Sequence, residues 1–169
     1  MQKAKYVRPV QVPVHEVDGT HRAFGAREGR SHAGVDFVPL LNLEQGLTDF
    51  PMVYAVADGV VTRYAEFYRG TYALEVLNDD GRIVRYCELF AADGVVVGSR
   101  ITQGQVIARM GLMEGIGEVM LHLEYYLGNA EGSLTNVDNK GNGKRYDYVT
   151  PKDYNRRWDL LDPTGFYYL

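Results

Sequence analysis

Two short motifs, far apart in the chain, carry the side chains best suited to bind one divalent metal ion. His32-Ala33-Gly34-Val35-Asp36 offers an imidazole and a carboxylate, and His122-Leu123-Glu124 offers a second imidazole and a second carboxylate. Three nitrogen or oxygen ligands leave a fourth position of Zn²⁺ open to water, and zinc lowers the pKa of that water towards neutrality. The chemistry expected of such a set is metal-assisted hydrolysis.

The segments that must position these motifs read as strands. They are short, rich in Val, Ile and Tyr, and bounded by Gly, Asp or Asn. The predicted strands cover residues 53–61, 72–77, 82–89, 105–110 and 120–127. Asn78-Asp79-Asp80-Gly81 predicts a hairpin turn between two of them. With 19 glycines and no long stretch of 3.6-residue periodicity, the sequence predicts a mainly β fold, with short turns or helical segments only at 39–50 and 154–160.

Length and composition predict one domain without polyanionic partners. A chain of 169 residues that is 46% hydrophobic is long enough for a single buried core. Its core is expected at about 22–127, followed by a polar, Gly- and Asn-rich loop insertion at about 128–148 and a closing docking segment at 149–169. A net charge of −4 argues against nucleic acid or an anionic membrane surface as a partner. No apolar stretch approaches the ~20 residues that a membrane span needs.

A series of motifs in fixed order makes the sequence resemble the lysostaphin-type (LytM-type) zinc endopeptidases over roughly 22–126. The series is Phe24-Gly25-Ala26-Arg27, His32 to Asp36, Val53 to Gly59, Gly104 to Gly111 and Leu121 to Glu124. The resemblance implies a small antiparallel β core, which is sheet-like or barrel-like. It implies Zn²⁺ bound by His32, Asp36 and His122, and bacterial peptidoglycan as the substrate.

Two residues depart from the pattern of that family. The first histidine of its H-x-H pair is Met120 here, and a further histidine is replaced by Glu88. In the family these two histidines orient the attacking water and stabilise the oxyanion, and they do not bind zinc. A carboxylate beside an activated water can act as general base, so Glu88 is our candidate catalytic residue. The alternative is a solvated strand carboxylate on an inactive scaffold, and Met120 is expected only to fill the core.

Other residues could support the site. On a strand Glu124 faces the same side as His122, so it is either a fourth ligand or base, or a carboxylate that accepts the imidazole N–H and fixes its orientation. Arg22, Arg27 or Tyr72 could contact the oxyanion. Cys87, the one cysteine, is expected to face away from Glu88 and to have no nucleophilic role.

Three functions fit these residues. The first is a zinc endopeptidase that hydrolyses peptide bonds of peptidoglycan. The second is a catalytically degenerate domain that binds peptidoglycan or a partner protein, and the third is a metal-stabilised module of a phage tail or secretion apparatus. The N-terminal residues show no apolar signal-peptide segment. A wall-directed protein of this kind is therefore expected to reach the periplasm or the exterior by export, injection or lysis.

Overall fold

The computed structural model describes residues 5–27, 30–40, 50–135 and 156–169. In these residues the chain forms strands that pair antiparallel throughout, and no α-helix is present. The mainly β, antiparallel fold predicted from the sequence is therefore confirmed. The strands are β1 (Gly25–Arg27), β2 (Arg30–His32), β3 (Val35–Phe37), β4 (Met52–Tyr54), β5 (Gly59–Glu66), β6 (Tyr72–Asn78), β7 (Ile83–Ala91), β8 (Arg100–Ile101), β9 (Val106–Met110), β10 (Leu121–Tyr126) and β11 (Leu160–Leu161), with a 3₁₀ helix at Thr164–Tyr168.

Strand β10 is the centre of the sheet that holds the two sequence motifs. It pairs with β3, β7 and β11, and the sheet continues from β7 through β6 and β5 to β8. In this register His122 of β10 lies opposite Asp36 of β3 and also opposite Cys87 of β7. Directly opposed residues share a face of the sheet, so the two motifs meet across neighbouring strands.

The two faces of β10 differ in chemistry because side chains alternate along a strand. Leu121 and Leu123 are fully buried in the main apolar core, together with Tyr86 and Phe37. The residues between and after them, His122 and Glu124, point to the other face and are buried too. One face of the strand therefore stabilises the fold, and the other carries the candidate site.

The predicted turns and strands are reproduced with one exception. Residues 78–81 connect β6 to β7 as an antiparallel hairpin, as predicted. The single strand predicted at 53–61 is wrong, because the chain bends at residues 56–58 and splits into β4 and β5. These two strands have different partners, since β4 pairs with β9 and β5 with β6 and β8.

Both terminal segments pack onto this sheet. The backbone N–H of Val7 donates to Val56, and the Tyr6 ring packs against Tyr125 and Phe166. Near the other end, residues 158–159 form a turn before β11 adds to β10. The helical segment predicted at 39–50 lies largely outside the described residues, and so do the loop insertion beyond residue 135 and the docking segment before residue 156. Among the described residues, no helix is long and apolar enough to cross a membrane.

Candidate metal centre

Three buried side chains from β2, β3 and β10 direct one donor atom each to a common point. His32 Nε2 lies 3.0 Å from Asp36 Oδ1 and 3.0 Å from His122 Nδ1. The third side of the triangle, from His122 Nδ1 to Asp36 Oδ1, is 2.8 Å. The structure thus brings together the three ligands predicted from the sequence, and they can hold one metal ion.

The outer nitrogen of each histidine is already engaged by an acceptor. His32 Nδ1 donates to the carbonyl oxygen of Ala23 at 2.8 Å, and His122 Nε2 donates to Glu124 Oε1 at 3.1 Å. A carbonyl and a carboxylate only accept, so these contacts fix the tautomers and leave the inner nitrogens to face Asp36. Two imidazole lone pairs and a carboxylate oxygen at such short separations repel one another unless a cation lies between them. This donor set fits Zn²⁺.

Without a metal, a proton on His122 takes the place of the cation. Burial lowers the pKa of His122, but hydrogen bonds and charges of Asp36 and Glu124 outweigh burial and raise this pKa to about 9. Burial also lowers the pKa of His32, and here the hydrogen bond with Asp36 does not compensate. The Nδ1–H of His122 therefore bridges Asp36 and His32 in the metal-free protein. A divalent ion binds by displacing that proton.

Gly34 explains the glycine inside the first motif. A Cβ at this position would collide with the carbonyl oxygen of Leu123 and would lie 2.9 Å from the Nε2 and Cε1 atoms of His122. Real Cβ atoms are not found at such distances, so β10 or the His122 ring would have to move. The glycine thus permits the close approach of the two motifs.

Glu124 is fully buried and receives donors from four directions. Besides His122, the Tyr126 hydroxyl donates to Oε2 at 2.6 Å, and Arg156 Nε donates to Oε1 at 2.7 Å. Arg85 Nη1 lies farther away, at 3.5 Å from Oε2. Burial would raise the pKa of Glu124, but Arg156, His122 and Arg85 together hold it well below its usual range. These contacts favour a carboxylate that orients His122 over a fourth ligand or base.

Glu88 occupies a β-bulge at the edge of the site. The pairing of β6 with β7 shifts register here, since Tyr72 faces Leu89 while the next residue, Ala73, faces Cys87. Glu88 is the extra residue and has a φ of 65°, a left-handed conformation that is costly for a residue with a side chain. Strain of this kind concentrates at functional sites.

Glu88 is held by its backbone and buried on its side chain. Its carbonyl oxygen accepts the N–H of Gly111 at 2.8 Å, and a Cβ on Gly111 would lie 2.8 Å from Thr71 Cγ2. Its Oε2 is buried and has no hydrogen-bond partner among the described residues. Burial is the main cause that raises the pKa of Glu88 to about 7. The charge of Asp36 also raises this pKa, whereas that of His122 lowers it. A strained, desolvated carboxylate with an oxygen that lacks a hydrogen-bond partner among the described residues is well suited to accept a proton near neutral pH.

Cys87 differs from the expectation. The bulge breaks the alternation between Cys87 and Glu88, and Cys87 lies opposite His122, on the face that carries the site. The regular alternation that the prediction assumed for Cys87 and Glu88 is therefore not present at this position. Burial raises the pKa of its thiol well above the usual value, so Cys87 stays protonated and a poor nucleophile.

The three residues proposed to contact the oxyanion lie in different surroundings. Arg22 Nη1 donates to the Glu16 carbonyl at 3.4 Å, whereas its own carbonyl oxygen accepts the N–H of Asp36 at 3.0 Å. The Tyr72 ring stacks on Tyr64 with centroids 4.9 Å apart. Arg27 ends β1, and its side chain lies outside the described part of the chain. Their role towards substrate stays a prediction.

Residues that sequence reasoning missed support the ligands from outside both motifs. Ala23 acts through its backbone carbonyl, which no side-chain pattern reveals. Arg85 lies on the same face of β7 as Cys87, opposite Glu124. Because the sequence placed Cys87 on the side away from Glu88, strand alternation gave no signal for Arg85. Arg156 is far from both motifs in sequence and gives no signal before the structure is seen.

Comparison with known proteins places this geometry in a family. The model of peptidase family M23 matches residues 30–137, which include all three metal ligands and Glu88. The chain belongs to peptidase family M23. The predicted resemblance to lysostaphin-type peptidases is thereby confirmed, and the metallopeptidase class of hydrolases with it. No curated protein sequence matches the chain.

Several solved structures share the fold. The catalytic domain of the antimicrobial peptidase lysostaphin from Staphylococcus simulans aligns with a TM-score of 0.57 and 18% identity, covering 89% of this chain and 91% of that one. A zinc-containing peptidase from Vibrio cholerae aligns at 0.52 and 23%, covering 72% and 36%. Csd3 from Helicobacter pylori aligns at 0.54 and 18%, covering 95% of this chain, which spans only 34% of Csd3. At these identities the likeness establishes the fold alone.

Proposed function

We propose that this protein is a zinc-dependent endopeptidase that hydrolyses peptide bonds of bacterial peptidoglycan. The observation that carries the proposal is the buried triangle of His32 Nε2, Asp36 Oδ1 and His122 Nδ1, whose outer contacts leave its inner lone pairs for a cation. Membership of family M23 supports the reaction class. The zinc-containing peptidase of Vibrio cholerae supports the metal, and lysostaphin, an antimicrobial peptidase, supports a bacterial target.

The metal ligands, Glu88 and Glu124 have different roles in the proposed hydrolysis. Zinc bound by His32, Asp36 and His122 would supply a Lewis acid for the scissile carbonyl and for water. Glu88 accepts the proton of the attacking water on a carboxylate oxygen and returns it to the leaving amine. Glu124 keeps the His122 ring in the orientation that directs Nδ1 inward. Met120 has no proton to give, so this reaction relies on one general acid–base group.

A second candidate function is binding without cleavage, and the identity of residues 88 and 120 favours it. A scaffold that has lost both histidines can still recognise peptidoglycan or a partner protein. In either case the protein acts on the wall from the periplasm or the exterior, which it reaches by export, injection or lysis, as a free enzyme or as a phage or secretion-apparatus component.

Digestion of purified sacculi separates the two functions. Zinc-loaded wild-type protein is incubated with sacculi from several bacteria, and released fragments are identified by mass spectrometry. We expect soluble fragments that carry the new amino group and the new carboxylate of one type of hydrolysed peptide bond. These fragments should be absent with His122→Ala but present with His15→Ala, a matched control at an exposed histidine. Wild-type protein that sediments with sacculi yet releases nothing would reject the endopeptidase and support the binding domain.

A further inference from the structure

We propose that Arg156 is a positioning residue of the metal centre, acting on His122 through Glu124. The proposal rests on the metal site described above and goes beyond the family, because Arg156 lies outside the matched residues 30–137. The matched region would thus supply the ligands, while a segment outside it completes their support. Zinc affinity should then depend on a residue beyond the region that the family model matches.

A continuous chain of contacts links Arg156 to the ligand. Arg156 Nε donates to Glu124 Oε1 at 2.7 Å, and the same oxygen accepts His122 Nε2 at 3.1 Å. The Nδ1 atom on the other side of that ring is the metal donor. One carboxylate oxygen is therefore shared between the guanidinium and the imidazole, so a shift of Glu124 turns the ring of a ligand.

Arg156, and not Arg85, makes the decisive contact with Glu124. Arg85 Nη1 is 3.5 Å from Oε2, the outer limit of a hydrogen bond, and the same nitrogen donates to Thr135 Oγ1 at 2.6 Å. Arg85 Nε also lies 3.4 Å from Glu75 Oε1, within ion-pair distance. Arg85 is thus divided among three partners, whereas Arg156 makes a short charge-assisted bond to the oxygen that holds the imidazole.

The surroundings of Arg156 fix its position. Thr135 and Arg156 form an isolated antiparallel bridge, and the N–H of Arg157 donates to the Leu134 carbonyl at 2.9 Å. The Phe67 ring covers the ion cluster, with the Arg156 guanidinium 6.0 Å and that of Arg85 4.8 Å from its centroid. A covered ion pair is screened less by water than an exposed one, which strengthens its hold on Glu124.

The test measures zinc affinity by chelator competition, with folding checked by circular dichroism. Arg156→Gln should weaken zinc binding by roughly 10–100-fold, the usual effect of losing a contact behind a ligand. Arg156→Lys keeps the charge and should recover part of the loss. The matched control is Arg157→Gln, since Arg157 bonds Asp159 at 2.7 Å and the Gly132 carbonyl at 3.0 Å, and anchors the same segment without bonding Glu124. It should bind zinc within about threefold of wild type.

A double-mutant cycle tests whether Arg156 acts through Glu124. In a Glu124→Gln background, Arg156→Gln should cause little further loss, because the intermediary is already neutral. Fully additive losses of zinc affinity in the double variant would overturn the proposal. A folded Arg156→Gln protein with wild-type zinc affinity would overturn it too. So would an equal loss of affinity in Arg157→Gln, or an Arg156→Lys protein that binds zinc no better than Arg156→Gln. If Arg156→Gln does not fold, the lysine and Arg157 variants still decide. Wild-type protein that binds zinc but leaves sacculi intact would contradict the peptidase proposal alone, whereas absence of zinc binding would overturn both.

Discussion

The two halves of the metal centre are held by different kinds of contact. On the side of the first motif, backbone carbonyls hold the ligands. The carbonyl oxygen of Ala23 accepts the His32 Nδ1–H, and that of Arg22 accepts the backbone N–H of Asp36. On the side of the second motif, His122 depends on the side chain of Glu124 and on the groups that hold Glu124 in place. A carbonyl is present whatever residue occupies the position, so the first half should tolerate substitution and the second should not.

Substituting a ligand in either half should have the largest effect on zinc binding, and the effect should be similar in the two halves. We expect about one Zn²⁺ per chain in the wild type, and loss of most of it in His32→Ala and in His122→Ala, since a site of three ligands becomes poor with two. Elemental analysis of the dialysed proteins measures this, with His15→Ala as control. Stoichiometric zinc in a His32→Ala, His122→Ala double variant would reject the site.

Glu88 stands outside both halves, and its substitution should separate chemistry from metal binding. Glu88→Gln keeps the shape but cannot accept a proton, so hydrolysis should fall by roughly 10²–10⁴-fold while zinc content and sacculus binding are retained. Initial rates on sacculi, alongside zinc analysis, measure both. Met120→His with Glu88→His gives the contrast: a gain in activity over an inert wild type would mean that the scaffold is degenerate.

Substitutions of the residues that hold the ligands test whether the two halves differ in their tolerance. Glu124→Gln should lower zinc affinity by roughly 10–100-fold, because it weakens the acceptor for His122 and leaves Arg156 without its partner. Arg22→Ala and Ala23→Ser keep their carbonyls and should stay within about threefold of wild type, as expected of substitutions that remove no contact to a ligand. Competition with a chromogenic chelator gives all three affinities. Equal losses of zinc affinity in the two halves would show that backbone and side-chain support of the ligands do not differ in their tolerance to substitution.

The pH dependence of zinc binding should reflect the titration of His122 in the second half of the centre, and not that of His32. The pKa of His122 is raised to about 9 in the metal-free protein, and that of His32 is lowered. The folded apo-protein therefore carries a proton on His122 at neutral pH, and zinc must displace it. Apparent affinity should rise about tenfold per pH unit between roughly pH 7 and 9 and level off above that range. Calorimetry in buffers of different ionisation enthalpy should count about one released proton at pH 7 to 8, and none in that range would contradict the assignment.

Much of this centre could be predicted from the sequence because its parts are local. The alternation that places Glu124 on the face of His122 follows from strand geometry. The spacing of His32 and Asp36 lets both side chains reach one ion across the short turn between β2 and β3. The hairpin at 78–81 follows from turn chemistry. In each case the residues that decide the outcome are neighbours in the chain.

The parts that could not be predicted depend on three-dimensional context. The bulge at Glu88 interrupts the alternation expected between Cys87 and Glu88, and it forms where β6 and β7 shift register beside Gly111. Arg156 reaches Glu124 from 32 positions away in the sequence. Neither contact has a local pattern, because a register shift and a long-range ion pair are set by packing.

The most direct test of the account is a crystal structure of the zinc-loaded protein with anomalous diffraction at the zinc edge. We expect one strong anomalous peak within about 2.0–2.2 Å of His32 Nε2, His122 Nδ1 and an Asp36 oxygen. Glu124 should still accept the N–H of His122 Nε2 and should not touch the metal. A peak at any other position, or zinc bound to Nε2 of His122 or to Glu124, would contradict it.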